Sequence, residues 1–174
     1  MKHNIMIDIE TLGTEPRSAV VSIGAVEFSA MGTGGEFYEV VDLKSAMASG
    51  QVDAGTLKWW LKQGAANSVW SVEGEDLRLV LARFSMWLGN ICDKKDLQIW
   101  ANAPSFDCTI LRHAFSESGL PVPWNYWNER DHRTLKNLWP VKYNPSGIKH
   151  NALDDARNQA CHAIKICSMY QVLL

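Results

Sequence analysis

The apolar spacing of this chain changes period once, and that change limits the folds open to it. Up to residue 43 the apolar residues alternate, in "MIDIETLG" (6–13), "VVSIGAVEF" (20–28) and "EFYEVVDL" (36–43). Only the turn-rich "TLGTEPRSA" and the Gly-rich "MGTGG" separate these segments. Period two marks a strand, and three strands with short connections predict an antiparallel meander. From residue 53 the spacing is helical, in "DAGTLKWWLKQ" (53–63) and "EGEDLRLVLARFSMWLGNI" (73–91). In the second of these, Leu77, Leu81, Phe84 and Leu88 stand at i, i+4, i+7 and i+11. A short apolar strand follows, "LQIWANA" (97–103), then a helix, "SFDCTILRHAFSESG", ending at Gly119. The loop-rich "PWNYWNERDH" leads to a short helix ending near Trp139 and Pro140, the loop "KYNPSG", and a helix from His150 to the C-terminus. This order predicts one α/β domain over residues 1–174 with a mixed sheet.

The first strand contains a contradiction. Ile5, Ile7 and Ile9 share one face, while Met6, Asp8 and Glu10 share the other. Two like charges side by side on a buried strand are costly unless something neutralises them. A divalent cation would do so; a wet face on an edge strand is the plain alternative. Two further acidic sites fall at element ends. Asp107 in "WANAPSFD" comes early in a helix, and Asp154 and Asp155 in "HNALDD" begin the last one, near His150. Singly, each has an ordinary reading, because first-turn carboxylates are favoured by the helix dipole and a lone histidine by a cap is commonly a surface residue. Together they form the set that a two-metal phosphoryl-transfer centre needs. Two Mg²⁺ ions about 4 Å apart require several shared carboxylates. Such ions prefer oxygen ligands, and a histidine supplies a base that titrates near neutral pH.

The ordered triple "DIETLG", "NAPSFD" and "HNALDDA" resembles the three motifs of the DEDDh 3′→5′ exonucleases, whose fold is ribonuclease-H-like. The chain is similar in particular to phage and prophage exonucleases of the exodeoxyribonuclease VIII-like group, through "WWL", "ILR", "PWNYWN" and "HNALDDARNQA". The resemblance spans nearly the whole sequence. It implies a mixed sheet with an antiparallel three-strand meander and parallel strands, flanked by helices. It implies hydrolysis of terminal phosphodiester bonds at a free 3′ end, with release of nucleoside monophosphates from single-stranded nucleic acid. DNA is the expected polymer, and short RNA is the alternative. A nucleic-acid-binding module without activity is a rival reading, and it would be expected to have lost one of the five site residues. None is missing: Asp8 and Glu10, Asp107, Asp155 and His150 are all present.

By the same resemblance Asp8 would bridge two divalent cations, Mg²⁺ with Mn²⁺ able to substitute. Glu10 and Asp155 would complete one cation site, Asp107 would hold the other, and His150 would be the general base. The family pattern places the last carboxylate five residues after the histidine, at Asp155. Helical i+4 spacing alone would choose Asp154. Thr11, Leu12 and Gly13 would meet the terminal nucleotide through backbone N–H groups and the leucine side chain; a plain turn is the alternative. Asn102 and Ser105 could touch phosphate or orient Asp107, or act as local caps. Gly147 in "SGIKHNALDD" would let His150 swing in with substrate, so His150 is expected to be displaced without it.

Composition narrows the remaining choices. A net charge of −2 provides no global basic field, so nucleic-acid contact must be local. Cys92, Cys108, Cys161 and Cys167 form no C-x-x-C pair and no zinc spacing, and are expected to be reduced thiols in a cytoplasmic protein. The N-terminus lacks a secretory pattern and no run suits a membrane span. Of the eight tryptophans, Trp59, Trp60 and Trp87 read as core or homodimer contacts. Trp124 and Trp127, in the loop-rich stretch, are the better stacking candidates, with packing as the alternative, and Asp131 and Arg133 are a solvated cluster or contacts to phosphate or the site.

Overall fold

The computed structural model describes residues 2–63, 69 and 71–172. Five strands form a mixed sheet: β1 (His3–Thr11), β2 (Val20–Ser29), β3 (Gly32–Val40), β4 (Leu97–Ala101) and β5 (Glu129–Asp131). Their spatial order is β3-β2-β1-β4-β5. The first three strands are the expected antiparallel meander, and β4 lies parallel to β1 with Met6 opposite Trp100. β1 is therefore central, which removes the edge-strand explanation of its carboxylates. β5 pairs parallel with β4. Its three residues fall where the sequence suggested only loop, because so short a strand shows no alternation.

Helices α1 (Leu43–Ser49), α2 (Ala54–Lys62), α3 (Leu77–Ile91), α4 (Asp107–Glu117), α5 (His132–Leu138) and α6 (Ala152–Tyr170) cover the sheet. Several boundaries differ from expectation. β3 begins at Gly32, so "MGTGG" is mostly strand and the hairpin turns at Ala30 and Met31. Gly32 has φ +135°, which suits glycine best. α1 replaces the end of the third predicted strand because Asp42 caps a helix there, accepting from the Ser45 amide. α3 starts at Leu77, where Asp76 accepts from the Arg78 and Leu79 amides. α6 starts at Ala152 with Asn151 as its cap, so His150 lies outside the helix. Leu173 and Leu174, which the sequence placed in that last helix, lie outside the described residues.

The two faces of β1 lead to two cores. Ile5, Ile7 and Ile9 join Leu81, Phe84, Leu88, Leu111 and Phe115 of α3 and α4. Met6 joins Val26, Phe28 and the inner face of α6. That face carries Ala152, Ala156, Ala160 and Ala163, all with no exposed area. Small side chains let the helix lie close to the sheet, and the approach is tightest at Gly24, where a Cβ would run into the Ala152 backbone. Gly24 is the β2 partner of Asp8. The first turn of α6 is thus set down beside the central carboxylate. Among the described residues no helix is long and apolar enough to cross a membrane.

Candidate active site

The carboxylates gather where the parallel strands end. Asp8 and Glu10 sit late in β1, and the turn after β4 carries Asp107 into the first turn of α4. Asp107 is buried, and its Oδ1 accepts from the Ile9 amide at 3.2 Å, which ties α4 to β1 between the two acids. Asp155, in the first turn of α6, accepts from the His150 amide at 3.2 Å. Oxygens of Glu10 and Asp155 and a ring nitrogen of His150 lie within 4.8 Å of one another.

The electrostatics follow from that crowding. Burial, then repulsion from Asp107, Glu10 and Asp155, pushes the Asp8 carboxyl well above the usual range. Burial, with repulsion from Asp155 and Asp107, raises Glu10 to about 8. Burial raises Asp107 to about 7, against hydrogen bonds from backbone amides and the nearby Arg133 charge. Burial also raises Asp155, opposed by His150. The carboxylates offer hard oxygens, a His150 ring nitrogen stands with Glu10 and Asp155, and among the described residues no thiol joins that cluster. Mutually repelling carboxylates of this kind suit a divalent cation, which would relieve the repulsion.

Asp154 faces elsewhere. It accepts from the Ile148 amide and from Arg157 Nη1, both at 2.8 Å. Arg157 in turn forks onto Glu36 of β3 with two 2.7 Å bonds. Gly147 has φ +83°, which favours glycine, and it packs closely against Asp154. His150 is not displaced. It adopts φ +61°, and its ring meets Trp59 edge-on at 4.7 Å and Trp60 at 6.3 Å. Burial lowers its pKa below the ordinary histidine value, partly offset by Asp155.

A cleft of about 480 Å³ opens beside Glu10, lined by Ile9, Thr11, Gly13, Thr14, Trp59 and Phe106 among others. Thr11 and Gly13 reach it, but Leu12 does not. Leu12 is 1% exposed in the main core, with its amide on Ala19 O and its carbonyl taken by the Asp53 amide. Asn102 stands at the end of β4, its carbonyl bonded by Arg133 Nη2 and its Oδ1 buried without a partner. Ser105 is exposed in the turn before α4.

The tryptophans exchange roles. Trp60 is buried and donates to the Thr11 carbonyl, as core packing requires, but Trp59 is 39% exposed and forms the cleft wall. Trp124 is core: it is 2% exposed, edge-on to Phe115, and donates to Glu129 Oε1. Trp127 is exposed but precedes β5, at the sheet end opposite the carboxylates. Asp131 caps α5, accepting from Arg133 N and Thr134 Oγ1. Gln159 went unnoticed in the sequence, yet its Nε2 donates to Asp8 Oδ1 at 2.7 Å. Its signal was the i+4 spacing from Asp155, which puts both on one helix face.

This mixed-sheet order is the fold of a solved DEDDh nuclease domain, and four carboxylates from three elements meet at the ends of its central parallel strands. Residues 3–167 match the model of the 3′–5′ exoribonuclease Rv2179c-like domain, and the chain belongs to that family. An exodeoxyribonuclease of Enterobacteria phage T4 is 28% identical over 158 residues, covering 75% of this chain and 69% of the phage protein. The nuclease domain of 3′hExo, a DEDDh member solved with rAMP, superposes with a TM-score of 0.70 at 15% identity, over 99% of this chain and 95% of that one. E. coli exonuclease I, solved with a dT13 oligonucleotide, also gives 0.70 at 15% identity. The match covers 97% of this chain but only 41% of exonuclease I. At these identities the structural likeness is one of fold.

Proposed function

We propose that this exonuclease removes nucleoside monophosphates one at a time from single-stranded DNA. In this reading Asp8, Glu10, Asp107 and Asp155 hold two divalent cations and His150 is the general base. The observation that carries it is the convergence of four carboxylates from β1, α4 and α6, with His150 beside Glu10 and Asp155. Mg²⁺, with Mn²⁺ as substitute, fits an all-oxygen donor set. When bound, the cations supply charge stabilisation to the attacking and leaving oxygens.

The chain's own residues do the rest. His150, kept neutral by partial burial, accepts the proton of the attacking water at a ring nitrogen. Trp59 supports that ring from the side. The exposed face of Trp59 and Phe106 give the terminal base an aromatic, apolar seat; such stacking is worth ~1–3 kcal/mol per base and does not depend on base identity. Two polar side chains at the cleft are already engaged: Thr11 Oγ1 donates to Gly13 O at 2.6 Å, and Asp53 Oδ2 accepts from Thr56. On this reading the cleft holds an unpaired base by stacking.

Asp155→Asn is expected to lose nearly all activity, whereas Asp154→Asn stays close to wild type, because Asp154 is committed to Arg157 and Ile148. Turnover of a single-stranded substrate by both variants checks this. The reverse ranking would move the fourth ligand to Asp154.

DNA is favoured by the phage exodeoxyribonuclease relative and by the oligodeoxynucleotide complex of exonuclease I. RNA is the second reading, favoured by the description of the family and by the rAMP complex of 3′hExo. The two differ at the 2′-OH. Matched single-stranded DNA, single-stranded RNA and duplex DNA, offered with Mn²⁺, decide between them. Single-stranded DNA is expected to be degraded fastest. Faster loss of RNA would assign the enzyme to RNA, and equal loss of duplex would contradict the unpaired-base cleft.

A further inference from the structure

We propose that Gln159 is a positioning residue for Asp8, fixing the carboxylate for cation binding. This rests on the reading of Asp8 as a cation ligand given above. Three aspartates of the site each accept a hydrogen bond that orients them. Asp107 takes its bond from the Ile9 amide and Asp155 from the His150 amide, both backbone donors. Asp8 takes its bond from the side chain of Gln159, 151 residues away, and this is the shortest of the three at 2.7 Å. Among the described residues no other side chain donates to Asp8.

Packing alone does not account for a glutamine here. Gln159 is 5% exposed, on the alanine-lined face of α6, and its Oε1 is buried without a partner. An apolar side chain of similar volume would leave no such orphaned oxygen. The orientation of the amide is set by chemistry: an ionised carboxylate only accepts, so the amide nitrogen must face it. The bond engages Oδ1 and restrains that oxygen of the Asp8 carboxylate. Groups that orient metal-bound carboxylates typically change metal affinity about 10- to 100-fold when removed.

The test is calorimetric titration of Mn²⁺ into wild type, Gln159→Met and Asp8→Ala, alongside thermal melts of each in EDTA. Gln159→Met keeps the volume and removes the donor. It is expected to bind Mn²⁺ about 10- to 100-fold more weakly while melting close to wild type. Affinity within twofold of wild type, with or without a lowered melting temperature, would make Gln159 a packing residue and overturn the proposal. Gln159→Asn withdraws the amide by one methylene and reports if Gln159→Met does not fold; the same affinity loss is expected, and an unchanged affinity again overturns the proposal. Asp8→Ala distinguishes the two levels of failure. If it binds Mn²⁺ as wild type does, the underlying reading of Asp8 fails; if it loses binding while Gln159→Met does not, only the role of Gln159 fails.

Discussion

Asp8→Ala is expected to abolish exonuclease activity while leaving the metal-free protein at least as stable as wild type near neutral pH. The two effects have one cause. Asp8 stands among three other carboxylates, and each raises the cost of its charge. Removing it deletes a ligand and also deletes repulsion. The pH dependence has a definite sign. The Glu10 carboxyl, raised from 4.5 to about 8, holds its proton in the folded protein where the unfolded chain has lost it. Its contribution is therefore fully present at acid pH and disappears as pH rises through about 4.5 to 8. Metal-free wild type should lose stability over that window, and Asp8→Ala should lose less. Thermal melts in EDTA across the pH series, with nuclease assays at neutral pH, check both halves. Retained activity, or a variant that unfolds at neutral pH, would be incompatible with a cation site at Asp8.

His150→Ala is expected to lower turnover by about 10²–10⁴, the usual contribution of a positioned general base, with a much smaller change in metal affinity. The geometry makes the second half a real test. A His150 nitrogen lies close enough to Glu10 and Asp155 oxygens to serve as a ligand itself. A matching collapse of Mn²⁺ affinity would recast it as one, and an unchanged rate would remove it from the site. A base must be neutral, and burial lowers the His150 pKa from its ordinary 6.5. The acid limb of the wild-type rate profile should thus lie below that value, and it should be absent from the residual activity of His150→Ala.

The sequence was most informative where a local rule acted alone. Alternation in β1 and β2, the helical spacing of Leu77, Leu81, Phe84 and Leu88, and the acids at element ends all survive in the structure because local pattern and tertiary packing agree there. β5 and α1 were missed because three- and seven-residue elements carry too little periodicity. Trp59 was misassigned for a different reason. Trp59 and Trp60 are neighbours on one helix and both line the cleft, yet Trp60 is buried and Trp59 is not; Trp124 sits in a loop-rich stretch and is buried. Aromatic burial depends on what the rest of the chain brings over the ring, and residue type and local spacing do not encode that. Leu12 is the same lesson reversed, since the chain reverses beneath it and takes it into the core. Choosing between Asp154 and Asp155 needed the position of the helix cap. With Asn151 capping α6, His150 precedes the first turn, and i+4 spacing from it has no meaning.

The most direct measurement is the fate of a single-stranded DNA oligonucleotide labelled at its 5′ end, incubated with the wild-type protein in Mg²⁺ or Mn²⁺ and, separately, in excess EDTA. The expected result is a ladder that keeps its label while shortening one nucleotide at a time from the 3′ end, with nucleoside monophosphates released and no change in EDTA. Cleavage at internal positions, release of the labelled 5′ nucleotide first, or the same ladder in EDTA would contradict a metal-dependent 3′→5′ exonuclease.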